Sequence, residues 1–183
     1  MPKTASPDRQ LAGFIARYEP EIAELAEAVL NKMRRRYSTA LELVYDNYNA
    51  LAIGFSPSER ASDGIFSIAL YPRWVSLFFL QAKGLYDPAG MLKGSGRVCK
   101  HVVLPNPAML DDPALAALMK DAVASARVPF GAKGLHRLII KSVSAKQRPR
   151  RPAAKVSIGK RPAARARKNP APAHRSKRVT KTA

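Results

Sequence analysis

The amino-acid sequence predicts an α+β domain over residues 1–143, with an antiparallel sheet of about five or six strands packed against N- and C-terminal helices. It also predicts a disordered tail rich in Lys, Arg, Pro and Ala over residues 144–183. Three observations predict this organisation. Helical periodicity flanks the middle of the chain, short β-prone runs fill that middle, and every Asp and Glu precedes the tail.

Residues 8–37 carry a helical pattern that is broken once. Leu11, Phe14 and Ile15 form a short apolar stripe before Glu19-Pro20 interrupts the run. Proline is favoured in the first turn of a helix, so Pro20 is expected to begin a second helix. Within that helix the glutamates come early and the Lys and Arg residues late, which complements the helix dipole. Two consecutive helices are therefore expected.

After this the pattern changes to short runs rich in Val, Ile, Phe and Tyr, at 41–46, 50–55, 65–71 and 74–81. The links between them are turn-forming and shorter than the roughly dozen residues that a parallel crossover needs. We therefore expect an antiparallel meander. Within it Trp74, followed by apolar residues, is expected at the core or its margin and not as an exposed stacking platform.

Three further elements complete the expected domain. A strand is predicted at 99–104, and a helix begins at Asp112-Pro113 with an apolar face that includes Leu115, Leu118 and Met119. A last strand is predicted within 135–143. No core-forming pattern follows it.

Several segments resemble the YdhG-like family of bacterial proteins, a domain of unknown function numbered 1801. They are the run Asp63-Gly64-Ile65-Phe66-Ser67-Ile68-Ala69-Leu70-Tyr71, then Val75-Ser76-Leu77-Phe78-Phe79, Leu92-Lys93-Gly94-Ser95-Gly96-Arg97 and His101-Val102-Val103-Leu104. The similarity covers about residues 20–127. It implies helices packed on one face of an antiparallel sheet, similar to the frataxin fold, and some relatives in this wider group are described as iron chaperones. Many members have a Trp-Gly-x-Pro segment where this chain has residues 45–49.

The last part of the chain is strongly cationic. Fifteen of the 32 Lys and Arg residues lie from Lys141 onward, whereas all 13 Asp and Glu residues lie at or before Asp121. Such a stretch cannot bury enough apolar surface to offset its ordering entropy. Its composition resembles the tails of linker histones.

Cations on an extensible chain are expected to bind the phosphates of DNA or RNA without reading base sequence. A solubilising extension and a weak anchor to anionic lipid remain the alternatives. The candidate nucleic-acid-binding residues are Lys146, Arg148, Arg150, Arg151, Lys155, Lys160, Arg161, Arg165, Arg167, Lys168, Arg175, Lys177 and Arg178.

A second candidate site is the turn Lys93-Gly94-Ser95-Gly96-Arg97, whose two glycines permit backbone N–H groups to converge on an anion. A plain turn is the alternative. Tyr45 and Asn47, together with Asp46, Tyr48, Asn49 and Tyr71, are the candidates for a small ligand pocket at the sheet edge. Strand packing beside a polar turn is the alternative.

No catalytic constellation or structural metal site is predicted, and no cofactor is expected. The three histidines are scattered, and the single cysteine, Cys99, excludes an internal disulfide. Basic neighbours of Cys99 favour a thiolate, although a buried strand cysteine is commoner. For an iron carrier, the candidate ligands are Glu21 and Glu24 with Glu27 or Asp8.

Four functions therefore remain open. The first is a nucleic-acid-tethered binding module whose domain holds a small anion or a protein partner. The others are an iron carrier of frataxin type, a small anionic ligand-binding domain without a nucleic-acid role, and an enzyme without a visible mechanism. With no signal peptide and no membrane span in the sequence, a cytoplasmic, possibly nucleoid-associated, location is expected.

Overall fold

The computed structural model describes residues 5–132, 134 and 136–152 of the 183-residue chain. Within these residues the chain forms three α-helices and one six-stranded sheet, which confirms the predicted α+β class. The compact unit that contains the sheet extends to Ala153, beyond the predicted boundary at Val143. The predicted disorder of residues 153–183 lies outside the described residues.

The elements follow the predicted order closely. The helices and strands are α1 Pro7–Ile15, α2 Pro20–Arg36, β1 Leu41–Asp46, β2 Leu51–Ser56, β3 Phe66–Tyr71, β4 Trp74–Phe79, β5 Lys100–Leu104, α3 Pro113–Ala124 and β6 Arg137–Val143. Each α-helix begins with a proline. Asp112 caps α3, because its carboxylate accepts hydrogen bonds from the backbone N–H groups of Ala114 and Leu115.

The strand order in the sheet is β5-β4-β3-β2-β1-β6. Strands β1 to β5 form the predicted antiparallel meander, but β6 pairs in parallel with β1, so the sheet is mixed. The expectation of a wholly antiparallel sheet is corrected for this strand. Short turns between strands predict antiparallel pairing, but β5 and β6 are not joined by a short turn. A long connection through α3 joins them and crosses from one edge of the sheet to the other.

The helices and one face of the sheet share a single apolar core. Alternate strand residues such as Ile53, Phe55, Ile68 and Leu77 point into it and are fully buried. The residues between them form the opposite face, which carries small side chains, namely Ala52, Gly54, Ser67, Ala69 and Ser76.

Tyr37, which follows α2, packs in this core against two phenylalanine rings. Its ring centroid lies 5.2 Å from that of Phe66 and 5.2 Å from that of Phe130. Burial raises the pKa of Tyr37 from the ordinary 10.0 to about 12. The phenol therefore ionises at a lower pH in the unfolded state than in the folded state. The fold has its full stability below the unfolded-state pKa and loses stability as pH rises from that value through the folded-state pKa.

We therefore expect stability to fall between pH 10.0 and about 12 as the Tyr37 phenol ionises. Chemical denaturation followed by circular dichroism at several alkaline pH values measures this loss. Tyr37→Phe keeps the ring and removes the ionisation, so the variant is expected to lose less stability over the same window. An equal loss in both proteins would show that Tyr37 does not contribute.

Candidate functional site

Asp46, the last residue of β1, is a fully buried carboxylate with an exposed fraction of 0%. It is ion-paired with Arg17, which follows α1, and with Arg150, whose Nη2 lies 2.7 Å from Oδ1. The Arg150 side chain is only 4% exposed. Two guanidinium groups together compensate for removing one carboxylate from water. The ion pair therefore holds the chain beyond β6 against the domain.

Backbone hydrogen bonds fix the same segment, which we call the strap and define as residues 144–152. The N–H of Ser144 donates to the Asp46 carbonyl at 2.9 Å, and the N–H of Arg148 donates to the Tyr48 carbonyl at 2.9 Å. The side-chain amide of Gln147 accepts a hydrogen bond from Arg17 at 2.7 Å. The strap thus lies along the turn between β1 and β2 as part of the folded unit.

Tyr18 lies beneath the strap and is 1% exposed. Its hydroxyl donates to the Leu70 carbonyl and accepts from the Leu51 N–H, each at 3.0 Å, and burial raises its pKa. The Arg150 guanidinium lies 5.7 Å from the centre of the Tyr18 ring, and Arg151 Nε donates to the Tyr18 carbonyl at 3.3 Å. These contacts hold Arg150 and Arg151 in fixed positions on the domain.

The strap and the turn between β3 and β4 form the two walls of a cavity of about 650 Å³, which we call the cationic groove. Its lining residues are Asn49, Tyr71, Pro72, Arg73, Trp74, Arg148, Pro149, Arg151 and Pro152. The Tyr71 and Trp74 rings stack in it, with centroids 5.0 Å apart and planes inclined by 24°.

Trp74 is 42% exposed, so its predicted place in the core or at the core margin is wrong. Side chains alternate between the two faces of a strand, and the next residue, Val75, is fully buried in the core. Trp74 therefore points to the other side, at the beginning of β4. A single apolar run in the sequence does not show which of its residues faces inward.

The cationic groove is strongly positive. Arg73, Arg148 and Arg151 are exposed, and the groove has no Asp or Glu among its described lining residues. Trp74 also borders a neighbouring cavity of about 670 Å³, which Arg73 lines together with Glu21 and Glu24. Arg73 and Trp74 thus lie between the wholly basic groove and a cavity of mixed charge.

The structure places four of the six predicted pocket residues around one cavity. A cavity of about 580 Å³ over the small-residue face is lined in part by Asn47, Tyr48, Asn49 and Tyr71. Tyr45 is outside that lining and pairs with Ala52 across the β1–β2 ladder. Asp46, the sixth candidate, is buried in its ion pairs with Arg17 and Arg150.

The predicted anion turn, residues 93–97, lies at the far side of the sheet. Lys93 forms a bridge with His101 of β5, whereas Tyr45 and Asn47 are at β1, with β2, β3 and β4 between them. Gly94 has a φ of 111°, but its carbonyl accepts a hydrogen bond from the Lys100 ammonium. The turn is exposed, and it does not join Tyr45 and Asn47 in one site.

Cys99 and two of the histidines are the other side chains with reactive chemistry. Cys99 is exposed, yet partial burial of its thiol raises its pKa, opposite to the expected effect of basic neighbours. His136 Nε2 lies 2.6 Å from the buried Glu42 carboxylate, which Arg34 also binds at 2.6 and 2.7 Å. His101 stacks on Phe78 with ring centroids 5.0 Å apart.

Within residues 5–132, 134 and 136–152, no three His, Cys, Asp or Glu side chains come together in a way that could hold a metal ion. The candidate iron ligands divide between two cavities, with Glu21 and Glu24 in one and Asp8 and Glu27 in another. In the same part of the chain, none of the helices has the length and apolar character needed to cross a membrane.

The predicted nucleic-acid-binding residues of the strap differ in their exposure to solvent. Lys146, Arg148 and Arg151 are exposed on the strap, whereas Arg150 is buried against Asp46 and is not free to bind phosphate. The candidates from Lys155 to Arg178 lie outside the described residues.

Comparison of the chain with protein-family models, with curated proteins and with solved structures finds no match. The resemblance to the YdhG-like family therefore stays a prediction. The features that bear on function are the strap, the cationic groove and the basic sequence that follows them.

Proposed function

We propose that this protein binds DNA or RNA through positive charge, without reading base sequence. The observation that carries the proposal is the run of fifteen Lys and Arg residues from Lys141 onward, a stretch of sequence that contains no Asp or Glu. Arg150 is paired with Asp46 of the domain, which leaves fourteen of them for phosphate. The described beginning of this run supports it, because Arg148 and Arg151 are exposed beside Arg73 in the cationic groove.

The physical basis is the release of counterions. Nucleic acid condenses cations along its phosphates, and Lys and Arg side chains that replace them gain the entropy of that release. Binding of this kind depends on the number of cations and on salt concentration, and it is nearly independent of sequence. We propose that the protein acts in the cytoplasm, where it contacts DNA or RNA. The folded part of the chain is then a YdhG-like domain that the basic residues tether to the nucleic acid.

Salt titration of the full chain tests the proposal. With about 6 to 10 phosphate contacts, the affinity for duplex DNA is expected to fall by about 10³ to 10⁵ between roughly 50 and 200 mM salt. Fluorescence anisotropy with two unrelated duplexes of equal length measures both the salt dependence and the sequence preference. A salt-independent Kd, or a strong preference for one duplex, would contradict the proposal.

Lipid vesicles provide a control for the alternative of a membrane anchor. Vesicles that contain phosphatidylserine present anionic headgroups without bases or a helical backbone. We expect them to compete with duplex DNA only weakly at the same phosphate concentration. Stronger binding to the vesicles than to the duplex would instead support the lipid anchor.

A further inference from the structure

Trp74 and Tyr71 form a rigid aromatic platform on the surface. The two residues are register partners at the β3–β4 turn, and their rings are stacked at 5.0 Å. Tyr71 thus covers one part of the indole, while Trp74 remains 42% exposed. An exposed indole that already stacks on a neighbour presents a large apolar ring at a reduced ordering cost when a flat partner binds to it.

Three guanidinium groups surround this platform in the cationic groove. Arg73 lies next to Trp74 in sequence, and the strap places Arg148 and Arg151 on the opposite wall. The Arg151 position is fixed by its hydrogen bond to the Tyr18 carbonyl at 3.3 Å. Planar guanidinium groups of this kind bind phosphate oxygens and also stack on rings.

The size and polarity of the groove suit a nucleotide. Its volume of about 650 Å³ is within the usual range for small-ligand pockets, roughly 300–1,000 Å³. Asn49 adds an amide that can both donate to and accept from a base edge. The neighbouring cavity beside Trp74 has two glutamates, Glu21 and Glu24, with Arg73 as its one arginine, so the strap side is the more favourable for phosphates.

We infer that the cationic groove binds an unpaired nucleotide of single-stranded DNA or RNA, with its base stacked on Trp74 and its phosphates against Arg73, Arg148 and Arg151. This inference rests on the proposed function and names its preferred form of nucleic acid. A base in a duplex has both faces covered by its neighbours and cannot stack on Trp74. A single strand exposes its base faces, and this mode of binding tolerates any sequence.

The intrinsic fluorescence of the protein tests the contact directly, because Trp74 is its only tryptophan. Titration of the full chain with an oligothymidylate is expected to quench this fluorescence to a saturating value. A duplex of the same length, and an oligonucleotide of the same length with abasic sites throughout, are expected to bind by charge with little quenching. Absence of quenching by the oligothymidylate, or equal quenching by the abasic strand, would overturn the inference.

Substitution of the platform gives a second measurement. Trp74→Leu is expected to weaken binding of a short single strand about 10-fold and to leave duplex binding unchanged. The matched control is Tyr86→Leu, which removes an aromatic side chain that is 77% exposed in a loop away from the groove lining, and no change is expected. Circular dichroism melting shows whether both variants fold, and the fluorescence of the unaltered protein gives an answer independent of them.

The outcomes separate this inference from the proposed function. If duplex binding is salt-dependent but Trp74→Leu binds single strands as tightly as the unaltered protein, the groove inference is wrong and the proposed function stands. If the full chain binds neither duplex nor single strand, both are wrong. Salt-dependent duplex binding, together with about 10-fold weaker single-strand binding in Trp74→Leu but not in Tyr86→Leu, supports both.

Discussion

Removal of residues 154–183 is expected to eliminate most of the salt-dependent affinity for duplex DNA. The ten cations in this region are Lys155, Lys160, Arg161, Arg165, Arg167, Lys168, Arg175, Lys177, Arg178 and Lys181, and no Asp or Glu accompanies them. Each phosphate-bound cation contributes about 0.9 to the slope of log affinity against log salt for duplex DNA. The slope is therefore expected to fall by roughly 5 to 9, and the affinity at low salt by at least about 10³-fold.

The position of the cut matters for this experiment. A chain that stops at Val143 also loses Arg150 and leaves Asp46 without its buried partner. Loss of binding would then reflect a damaged fold as well as missing charge. A cut after Ala153 keeps the strap and its contacts with the domain.

A full-length variant separates charge from chain length. Replacement of the same ten Lys and Arg residues by Gln keeps the length and removes the charge, so it is expected to behave like the shortened chain. A matched control, Lys83→Gln with Lys120→Gln, removes exposed cations of the folded domain and is expected to change affinity little. Retention of affinity and salt response in both the shortened and the neutralised proteins would refute the proposed function.

Asp46→Ala is expected to destabilise the domain by about 3–5 kcal/mol. The substitution leaves the Arg150 guanidinium, with a side chain only 4% exposed, without its carboxylate. Arg150 already has buried Nε and Nη1 atoms without a hydrogen-bond partner among the described residues. An unpaired charge in this environment is costly because it has lost its hydration. Urea denaturation of the full chain, followed by circular dichroism, measures the change in the free energy of unfolding.

Two variants control for this effect. Asp121→Ala removes an exposed carboxylate in α3, and its expected change is within about 0.5 kcal/mol. Asp46→Ala combined with Arg150→Met removes both buried charges and is expected to recover part of the lost stability. A loss for Asp46→Ala no larger than that for Asp121→Ala would mean that the buried ion pair does not stabilise the fold.

Much of the secondary structure could be predicted because its determinants are local. The proline at the beginning of each α-helix, the Asp112 cap and the short turns between β1 and β4 all act within a few residues. The parallel pairing of β6 with β1 depends on a contact between distant parts of the chain. Nothing near Arg137–Val143 in the sequence specifies which edge of the sheet it joins.

The candidate site was predicted only in part for a related reason. The charge of Arg148, Arg150 and Arg151 is visible in the sequence, but their contacts are not. One signal was present, since Asp46 is a carboxylate at the end of a β-prone run and a buried carboxylate requires a cationic partner. That partner lies 104 residues away in the chain, and only the folded structure identifies it as Arg150.

Pro152 lies in the groove lining, and residues 154–183 continue the chain from that point. Under the two proposals, a nucleic-acid strand bound by the cations of that region is tied to the same chain as the groove, so its contact with Trp74 becomes an intramolecular event. Short tethers of this kind give effective concentrations on the order of millimolar. From two such attachments we expect avidity, so that a long nucleic-acid strand is bound more tightly than by either attachment alone.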